Sequence, residues 1–334
     1  MTIQLKQIIK IIKQSKRVAV FAHLSADADC LGSLSAISFL CKTYGKRVDC
    51  YIDDDKLKDN YKFMDINVNL GNKFDGKDYD LLISVDIAAE RMLGQYKEEF
   101  FAHNNTLVID HHEDRDLLGK YVYVDFGCAS CGEIILELIK LSKVQLTKQI
   151  ATNLYSAIAG DTGCFMHDNT TINTHNAAAY LMGQGADFST ANYYLFKLTN
   201  KKTFALKNIL NKQICEKEGV TYCIVEQSLL EKGDYDLADI STYVDDLLNI
   251  EGTKIAYVIK EKAKNSYSVS LRCQKQYDVA KVAHIFGGGG HKQAAGFSFG
   301  GRLKEFEQQL LFEAIKESKR IDEKFWEKLY YCTK

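Results

Sequence analysis

The sequence predicts an α/β protein: a parallel-sheet N-terminal domain with flanking helices, followed by a smaller α/β C-terminal domain. Its 334 residues are enough for two domains of ordinary size. In the first part of the chain, short runs of apolar and β-branched residues alternate with helical patterns. These runs are apolar nearly throughout, which is typical of parallel strands covered by helices on both faces. A second group of strand-like runs begins near residue 220 and indicates the second domain.

Local patterns predict the elements in chain order. An amphipathic helix at the start precedes five predicted strands, at 17–23, 47–52, 80–88, 106–112 and 121–125. A helix is predicted over 31–45, where Gly45 suits a helix C-terminus. The later strands are predicted at 220–226, 253–261 and 267–274, followed by a short helix at 279–286 and one or two helices from Leu303 onward. We expect an N-terminal domain at 1–195, a linker helix at 196–215 and a C-terminal domain at 216–334.

Composition limits the kind of partner. The formal net charge is −1, so there is no global basic field to hold a long nucleic acid. No apolar stretch approaches the ~20 residues of a membrane helix, and the first residues lack the continuous apolar core of a signal peptide. We therefore expect a cytoplasmic protein that does not contact membranes. The ten cysteines do not make a disulfide scaffold in a chain of this length, and we expect them to be reduced.

Aspartate and histidine residues cluster where the predicted strands of the first domain end. The residues concerned are His23, Asp27 and Asp29 in HLSADAD, Asp86 in ISVDIA, Asp110, His111 and His112 in VIDHH, and Asp161 in AGDTG. Ligands bind outside the carboxyl ends of the strands in open parallel sheets. Taken alone, Asp161 would be a helix cap or a turn residue. Four clusters in matching positions instead predict one shared crevice.

Several carboxylates in one crevice repel each other unless cations neutralise them. Carboxylate and imidazole ligands without thiolate suit Mn²⁺ best, with Mg²⁺ as an alternative. Two such ions about 3.5–4 Å apart can clamp the attacking and leaving oxygens of a phosphoryl displacement. The sequence therefore predicts a site for two divalent cations.

The same motifs carry a family resemblance. The ordered set HLSADAD, VDIA, IDHH and GDTGCF resembles the four motifs of the DHH phosphoesterase family. The segments SVSLRC and FGGGGHKQAAGF resemble its DHH-associated C-terminal domain, which binds substrate. The resemblance spans roughly residues 15–300. It is strongest to the branch of bifunctional oligoribonucleases and pAp phosphatases, the nanoRNases, and it favours a homodimer.

The resemblance implies a role for each matching residue. One metal ion would be held by His23, Asp27 and Asp86, and the other by Asp29, Asp86, His111 and Asp161. Asp86 would bridge the two ions. Asp110 would orient His111, because metal-bound histidines generally need a hydrogen-bond partner. His112 would contact the scissile phosphate, so the expected catalytic residues are Asp86, Asp110 and His112.

The chain departs from the family pattern in its first motif. Ala26 stands where the family usually has proline, and Ala28 where it often has glycine. Without that proline we expect a less rigid loop. The whole chain contains no proline, against roughly 17 at the usual frequency of ~5%. Removal of proline by design is one explanation.

Further residues are candidates for substrate binding. The glycines Gly288, Gly289 and Gly290 would let backbone amides approach a phosphate, and His291 could donate to a phosphate or a base. Arg272 offers the bidentate fork that suits phosphate. Ser130 is either a substrate contact or a helix cap, and Arg115 is a weaker candidate.

We therefore expect hydrolysis, by metal-activated water, of phosphoester bonds in short oligoribonucleotides and of pAp to AMP. The near-neutral charge agrees with short substrates, since a processive exonuclease gains from a basic channel. Three alternatives stay open. They are a phosphodiesterase for c-di-AMP or pApA, a RecJ-like exonuclease and a nucleotide-binding module without catalysis. A related pyrophosphatase is disfavoured by the glycine motif.

Overall fold

The computed structural model describes the backbone of residues 2–113, 116 and 119–332, and side chains up to residue 320. Arg115 lies outside the described residues. The chain divides into two compact units, Met1–Leu198 and Thr199–Lys334. Each unit is built around its own sheet, so each is described by itself.

The first unit contains a parallel sheet of six strands in the order β3-β2-β1-β4-β5-β6. Its strands are β1 (Arg17–Phe21), β2 (Arg47–Ile52), β3 (Asn69–Leu70), β4 (Leu81–Val85), β5 (Thr106–Asp110) and β6 (Tyr121–Val124). All neighbouring pairs are parallel. The connection changes direction between β1 and β4, and such a switch point opens a crevice at the carboxyl ends of the strands.

Helices cover both faces of this sheet, as the apolar strands predict. They are α1 (Leu5–Gln14), α2 (Ala28–Thr43), α3 (Lys97–Ala102), α4 (Cys131–Ser142), α5 (Lys148–Asp161), α6 (Ile172–Gly183) and α7 (Phe188–Asn192). One core joins one face of the sheet to α2, α4 and α5 through residues such as Leu34, Ile135 and Leu154. The other core is rich in aromatic residues and includes Phe21, Tyr51 and Phe100.

The strands end earlier than the sequence predicts, and α2 begins earlier. Strand β1 stops at Phe21 and β4 stops at Val85, so His23 and Asp86 lie in the loops that follow. Helix α2 begins at Ala28 because Asp27 caps it, accepting a hydrogen bond from the Cys30 amide at 3.0 Å. Asp29 therefore lies in the first turn of a helix rather than in a loop.

The second unit has a mixed sheet of six strands in the order β11-β12-β10-β9-β8-β7. Its elements are α8 (Lys201–Leu210), β7 (Cys215–Lys217), β8 (Val220–Val225), α9 (Gln227–Gly233), α10 (Tyr243–Leu248), β9 (Ile255–Ala263), β10 (Ser266–Cys273), α11 (Val279–Ile285), β11 (Gly289–His291), β12 (Ala294–Gly300) and α12 (Leu303–Cys332). Strands β8 and β9 are parallel and the other pairs are antiparallel. The α/β fold class with a second mixed sheet is thus confirmed.

Helix α8 lies within the segment 196–215 that the sequence analysis treats as a linker. Its Leu206 and Leu210 are fully buried in a core of the second unit, together with Val244 of α10 and Val258 of β9. Among the described residues, no helix combines the length and the apolarity that crossing a membrane requires.

Candidate active site

His23 is held by the loop that leaves β1. Its Nδ1 lies 2.8 Å from the carbonyl oxygen of Leu24. A carbonyl only accepts, so Nδ1 carries a proton and Nε2 is the nitrogen that could bind a metal ion. Nε2 lies 3.5 Å from Asp27 Oδ2 and 3.8 Å from Asp86 Oδ2. This half of the cluster is therefore built from two loops of the sheet and the cap of α2.

Asp86 lies between two histidines. Its Oδ2 faces His23, whereas its Oδ1 lies 3.5 Å from His111 Nε2. The backbone of Asp86 has a φ of 57°, which is uncommon for a residue other than glycine and is typical of functional positions. The side chain is 2% exposed. One carboxylate thus presents an oxygen to each half of the cluster.

His111 contacts the carboxylates in the second half of the cluster. Its Nε2 lies 3.1 Å from Asp161 Oδ2 and 3.8 Å from Asp29 Oδ2. Asp161 is the last residue of α5, and Asp29 lies in α2. These contacts join residues that are 50 and 82 positions apart in the chain, and they form because α5 packs against α2.

Asp110 contacts a different histidine from the one that the resemblance implies. Its Oδ1 lies 2.8 Å from His112 Nδ1, and it accepts a hydrogen bond from the His111 amide, also at 2.8 Å. The carboxylate therefore orients the imidazole of His112, while it touches His111 through the backbone. The His112 side chain is 42% exposed, so its ring is accessible from solvent.

Asp29 is fully buried and is stabilised by the start of α4. It accepts hydrogen bonds from the backbone amides of Cys131 at 2.7 Å and Gly132 at 2.8 Å. The amides at a helix N-terminus favour a negative charge. Ser130 is the N-cap of the same helix, where its Oγ accepts from the Glu133 amide at 3.2 Å, and it is fully buried. Of the two roles considered for Ser130, the observed contact is the helix cap.

The electrostatics of the cluster reflect an excess of carboxylates. Burial and then the charges of Asp86 and Asp161 raise the pKa of Asp29 well above its usual range. Burial alone would lower the pKa of His23, but Asp27, Asp86 and the Leu24 carbonyl together outweigh it and raise that pKa to about 9. In the same way, Asp161 and Asp86 raise the pKa of His111 to about 11. The cluster thus retains protons where cations would otherwise supply the positive charge.

Two unpartnered atoms show that this donor set fits metal ions. Asp86 Oδ1 and His111 Nε2 are buried and have no hydrogen-bond partner, an arrangement that is costly unless a ligand binds there. The donor atoms form three groups in which all atoms lie within 4.8 Å of one another: His23, Asp27 and Cys30; Asp86, His111 and His112; and Asp29, His111 and Asp161. Carboxylate and imidazole donors suit a divalent cation.

Cys30 is a member of this cluster that the sequence analysis missed. Its sulfur shares the first group with His23 and Asp27, and the Asp27 amide lies 3.3 Å from it. The signal was present in the sequence, because Cys30 directly follows the second aspartate of HLSADAD.

Asp54 holds the loop in which Ala26 replaces the usual proline. Its Oδ1 accepts a hydrogen bond from the Ser25 amide at 2.8 Å, and its Oδ2 accepts from the Ala26 amide at 3.0 Å. Proline has no amide hydrogen, so the second hydrogen bond exists only because residue 26 is not proline. A carboxylate therefore anchors this loop at two amides, and its rigidity relative to a proline-containing loop stays a prediction.

We expect Asp54→Ala to weaken Mn²⁺ binding by about tenfold or more, since partners that only orient metal ligands typically contribute 10- to 100-fold. Isothermal titration of Mn²⁺ measures this effect. Asp55→Ala is the matched control, because Asp55 is the exposed neighbouring aspartate. Unchanged Mn²⁺ affinity in Asp54→Ala would show that the loop does not need this anchor.

In the second unit, strand register brings several predicted substrate residues to one face of the sheet. Arg272 pairs with Ala294, and Ala294 also pairs with His291. Directly paired residues share a face, so Arg272 and His291 lie in one row across β10, β12 and β11. Part of the Arg272 fork is already used, because its Nε donates to Asp245 Oδ1 at 2.9 Å.

The glycine run has a packing role as well as the expected binding role. The Gly288 amide donates to the Ala283 carbonyl at 2.9 Å, and a Cβ at Gly288 would lie 2.3 Å from Phe297 Cβ. Gly290 has a φ of 138°, which favours glycine. Gly288 and Gly290 are therefore required by the close approach of β11 to β12, and the Gly288 amide is not free for an anion. Gly289 lies on the same face as Arg272 and His291.

Comparison with known proteins agrees with this architecture. Residues 17–158 match the N-terminal domain of the DHH family, and residues 218–318 match the DHHA1 domain. A relative from Streptococcus mutans, named probable bifunctional oligoribonuclease and PAP phosphatase NrnA, is 30% identical over 66% of this chain and 71% of its own length. A relative from Mycoplasma genitalium with the corresponding name is 28% identical over 86% of this chain and 90% of its own.

The solved structures include a protein with the same fold. An exopolyphosphatase-related protein from Bacteroides fragilis superimposes with a TM-score of 0.85 at 19% identity, covering 95% of this chain and 96% of that one. Fold, site and sequence similarity define the class: this chain is a phosphoesterase, a hydrolase of ester bonds. It belongs to the DHH family.

Proposed function

We propose that this protein hydrolyses phosphoester bonds in short oligoribonucleotides and converts pAp to AMP, using two divalent cations. Both ions would be Mn²⁺, with Mg²⁺ as the alternative metal. The observation that carries the proposal is the buried carboxylate of Asp86, which presents Oδ2 to His23 and Oδ1, an atom without a hydrogen-bond partner, to His111. The names of the two relatives support the substrate class.

Two sets of residues, with Asp86 in both, would bind the two ions. His23, Asp27 and Asp86 would hold one ion, and Asp29, Asp86, His111 and Asp161 the other. Bound there, divalent ions polarise a phosphoryl oxygen and lower the pKa of water. Asp29 would keep its position through the amides of Cys131 and Gly132, so the second position is braced by α4.

His112 would act on the phosphate rather than on the ions. Asp110 orients its ring through Nδ1 and raises the pKa of His112. The imidazole therefore keeps a proton that Nε2 can donate to a phosphate oxygen as negative charge develops. Asp110 would serve as a positioning residue for this step.

The face of the second sheet that carries Arg272, Gly289 and His291 would bind the terminal nucleotide. Nε and Nη1 of Arg272 already donate to Asp245 and to the Leu271 carbonyl, so Nη2 would bind a phosphate oxygen. Gly289 adds no side chain to this face. A chain with a net charge of −1 would hold one or a few nucleotides rather than a long strand.

A substrate panel tests this proposal. The panel contains pAp, a five-nucleotide RNA, pApA, c-di-AMP and a long single-stranded DNA, each incubated with Mn²⁺ and with an excess of EDTA. We expect the short RNA and pAp to be hydrolysed fastest, and only with metal. Preference for c-di-AMP or pApA would indicate a cyclic-dinucleotide phosphodiesterase, and preference for long DNA would indicate an exonuclease. Nucleotide binding without any hydrolysis would contradict the proposal.

A further inference from the structure

The open face of the second sheet is polar along β10. Tyr267, Val269 and Leu271 are buried in the core on one face. The alternate residues Ser268, Ser270 and Arg272 are partly exposed on the other. Across β12, Ser298 pairs with Ser268 and Gly296 pairs with Ser270. Hydroxyl groups, a glycine and a guanidinium thus form one continuous surface.

Lys260 lies at the border of this surface. On β9, the residues Ala256 and Val258 share the face and are fully buried in the core that includes Val244 and Leu247 of α10. Lys260 is the next residue on this face, and it pairs with Ser268 of β10. It is only 9% exposed, although lysine is rarely buried without a partner.

The ammonium group of Lys260 has little compensation. Its Nζ donates to Ser270 Oγ at 3.4 Å. Among the described residues, the two aspartates of α10 form ion pairs with Lys207 and Arg272 rather than with Lys260. Burial lowers the pKa of Lys260, and the positive charges of Arg272 and Lys262 lower it further. The nearby carboxylate of Asp245 is bound to Arg272 instead, at 2.9 Å.

The charges on this face therefore do not balance. Lys260 and Arg272 are both near the carboxylate of Asp245, which is bound to Arg272, and Lys262 adds a further positive charge. A buried charge without a counter-charge destabilises a fold, and such violations are expected at functional positions. An anion bound between Lys260 and Arg272 would supply the missing negative charge, and the hydroxyl of Ser270 lies beside it as a further donor.

We propose that Lys260 is a phosphate-binding residue that, with Arg272 and Ser270, takes the phosphate of a nucleoside monophosphate unit on this face. The inference rests on the proposed function for the identity of the ligand as a nucleotide. Lys260 lies on β9, outside the segments SVSLRC and FGGGGHKQAAGF. It would make the protein prefer a phosphorylated nucleoside to a neutral one.

The test compares 5′-AMP with adenosine as ligands of the full chain loaded with Mn²⁺, by isothermal titration. Lys260→Met keeps the aliphatic stem and removes the charge. We expect it to weaken AMP binding by about tenfold or more, because hydrogen bonds to charged groups are strong, and to leave adenosine binding unchanged. Lys264→Met is the matched control, since Lys264 is exposed in the turn after β9, and it should change neither affinity.

Stability separates a binding role from a structural one. Removing an uncompensated buried charge should leave the unfolding temperature of Lys260→Met equal to or above that of the unchanged protein. The rise in unfolding temperature that AMP produces should shrink. If Lys260→Met does not fold, Lys260→Gln provides the same comparison. Unchanged AMP affinity, or equal weakening of AMP and adenosine, would overturn the proposal.

The outcome does not depend on turnover. A protein that binds nucleotides but hydrolyses none would still give the AMP-against-adenosine difference through Lys260. Failure of the proposed hydrolysis would appear in the substrate panel alone, and failure of the Lys260 assignment would appear in the titrations alone.

Discussion

Asp86→Asn is expected to abolish hydrolysis of pAp and of short RNA, lowering the rate by at least about 1,000-fold. Partners that only orient metal ligands already contribute 10- to 100-fold, and Asp86 faces His23 and His111 directly. Asparagine keeps the shape of the side chain and tolerates a positive φ. The variant therefore removes the charge without adding the backbone strain that alanine would cause at a φ of 57°.

The control for this variant is another aspartate in the left-handed region. Asp65 has a φ of 47° and is exposed at the end of a short helical turn. Asp65→Asn should retain full activity, and both variants should unfold at temperatures close to that of the unchanged protein when metal is absent. Activity within about tenfold of normal in Asp86→Asn would remove the bridging role from Asp86.

The scaffold of the first unit was predictable because its signals are local. Strands β1, β4 and β5 are buried apolar runs, and their burial follows directly from their composition. Strands β2 and β6 lie nearer the edges of the sheet and are only partly buried. The start of α2 was misplaced because the aspartates of HLSADAD were treated as loop residues. Asp27 caps that helix, and aspartate followed by a helical pattern is a signal for such a cap.

The partners of the site residues were less predictable, since they are distant in the chain. The sequence could identify Arg272 as a candidate phosphate-binding residue. Its ion pair with Asp245 could not be predicted, because it depends on how α10 packs on β9 and β10. The anchoring of the Ala26 amide by Asp54 depends in the same way on the loop after β2. Lys260 could not be distinguished from the other lysines by sequence alone, because only its burial sets it apart.

Asp110 shows how a correct residue can have a different contact from the expected one. Its position in VIDHH identified it as a positioning residue, and in the structure it does position an imidazole. The ring is that of His112 rather than that of His111, whose Nε2 contacts Asp161 and Asp86 instead. The consequence is that Asp110 bears on the protonation of His112, which the resemblance alone did not imply.

The affinity for Mn²⁺ is expected to rise steeply with pH. In the absence of metal, the pKa of His23 is raised to about 9 and that of His111 to about 11, so both imidazoles hold a proton at neutral pH. A divalent ion binds only a deprotonated ring nitrogen and must displace these protons. Each displaced proton makes the association constant increase about tenfold per pH unit below the pKa, so two protons give about 100-fold per unit.

Titration of Mn²⁺ at about pH 6, 7 and 8, in buffers that differ in ionisation enthalpy, measures both the affinity and the number of protons released. We expect about two protons to be released at neutral pH, one from each histidine. His23→Gln should release about one proton fewer, because glutamine offers a donor atom of similar reach that does not titrate. An affinity that does not change with pH, without proton release, would mean that the histidines are neutral before metal binds.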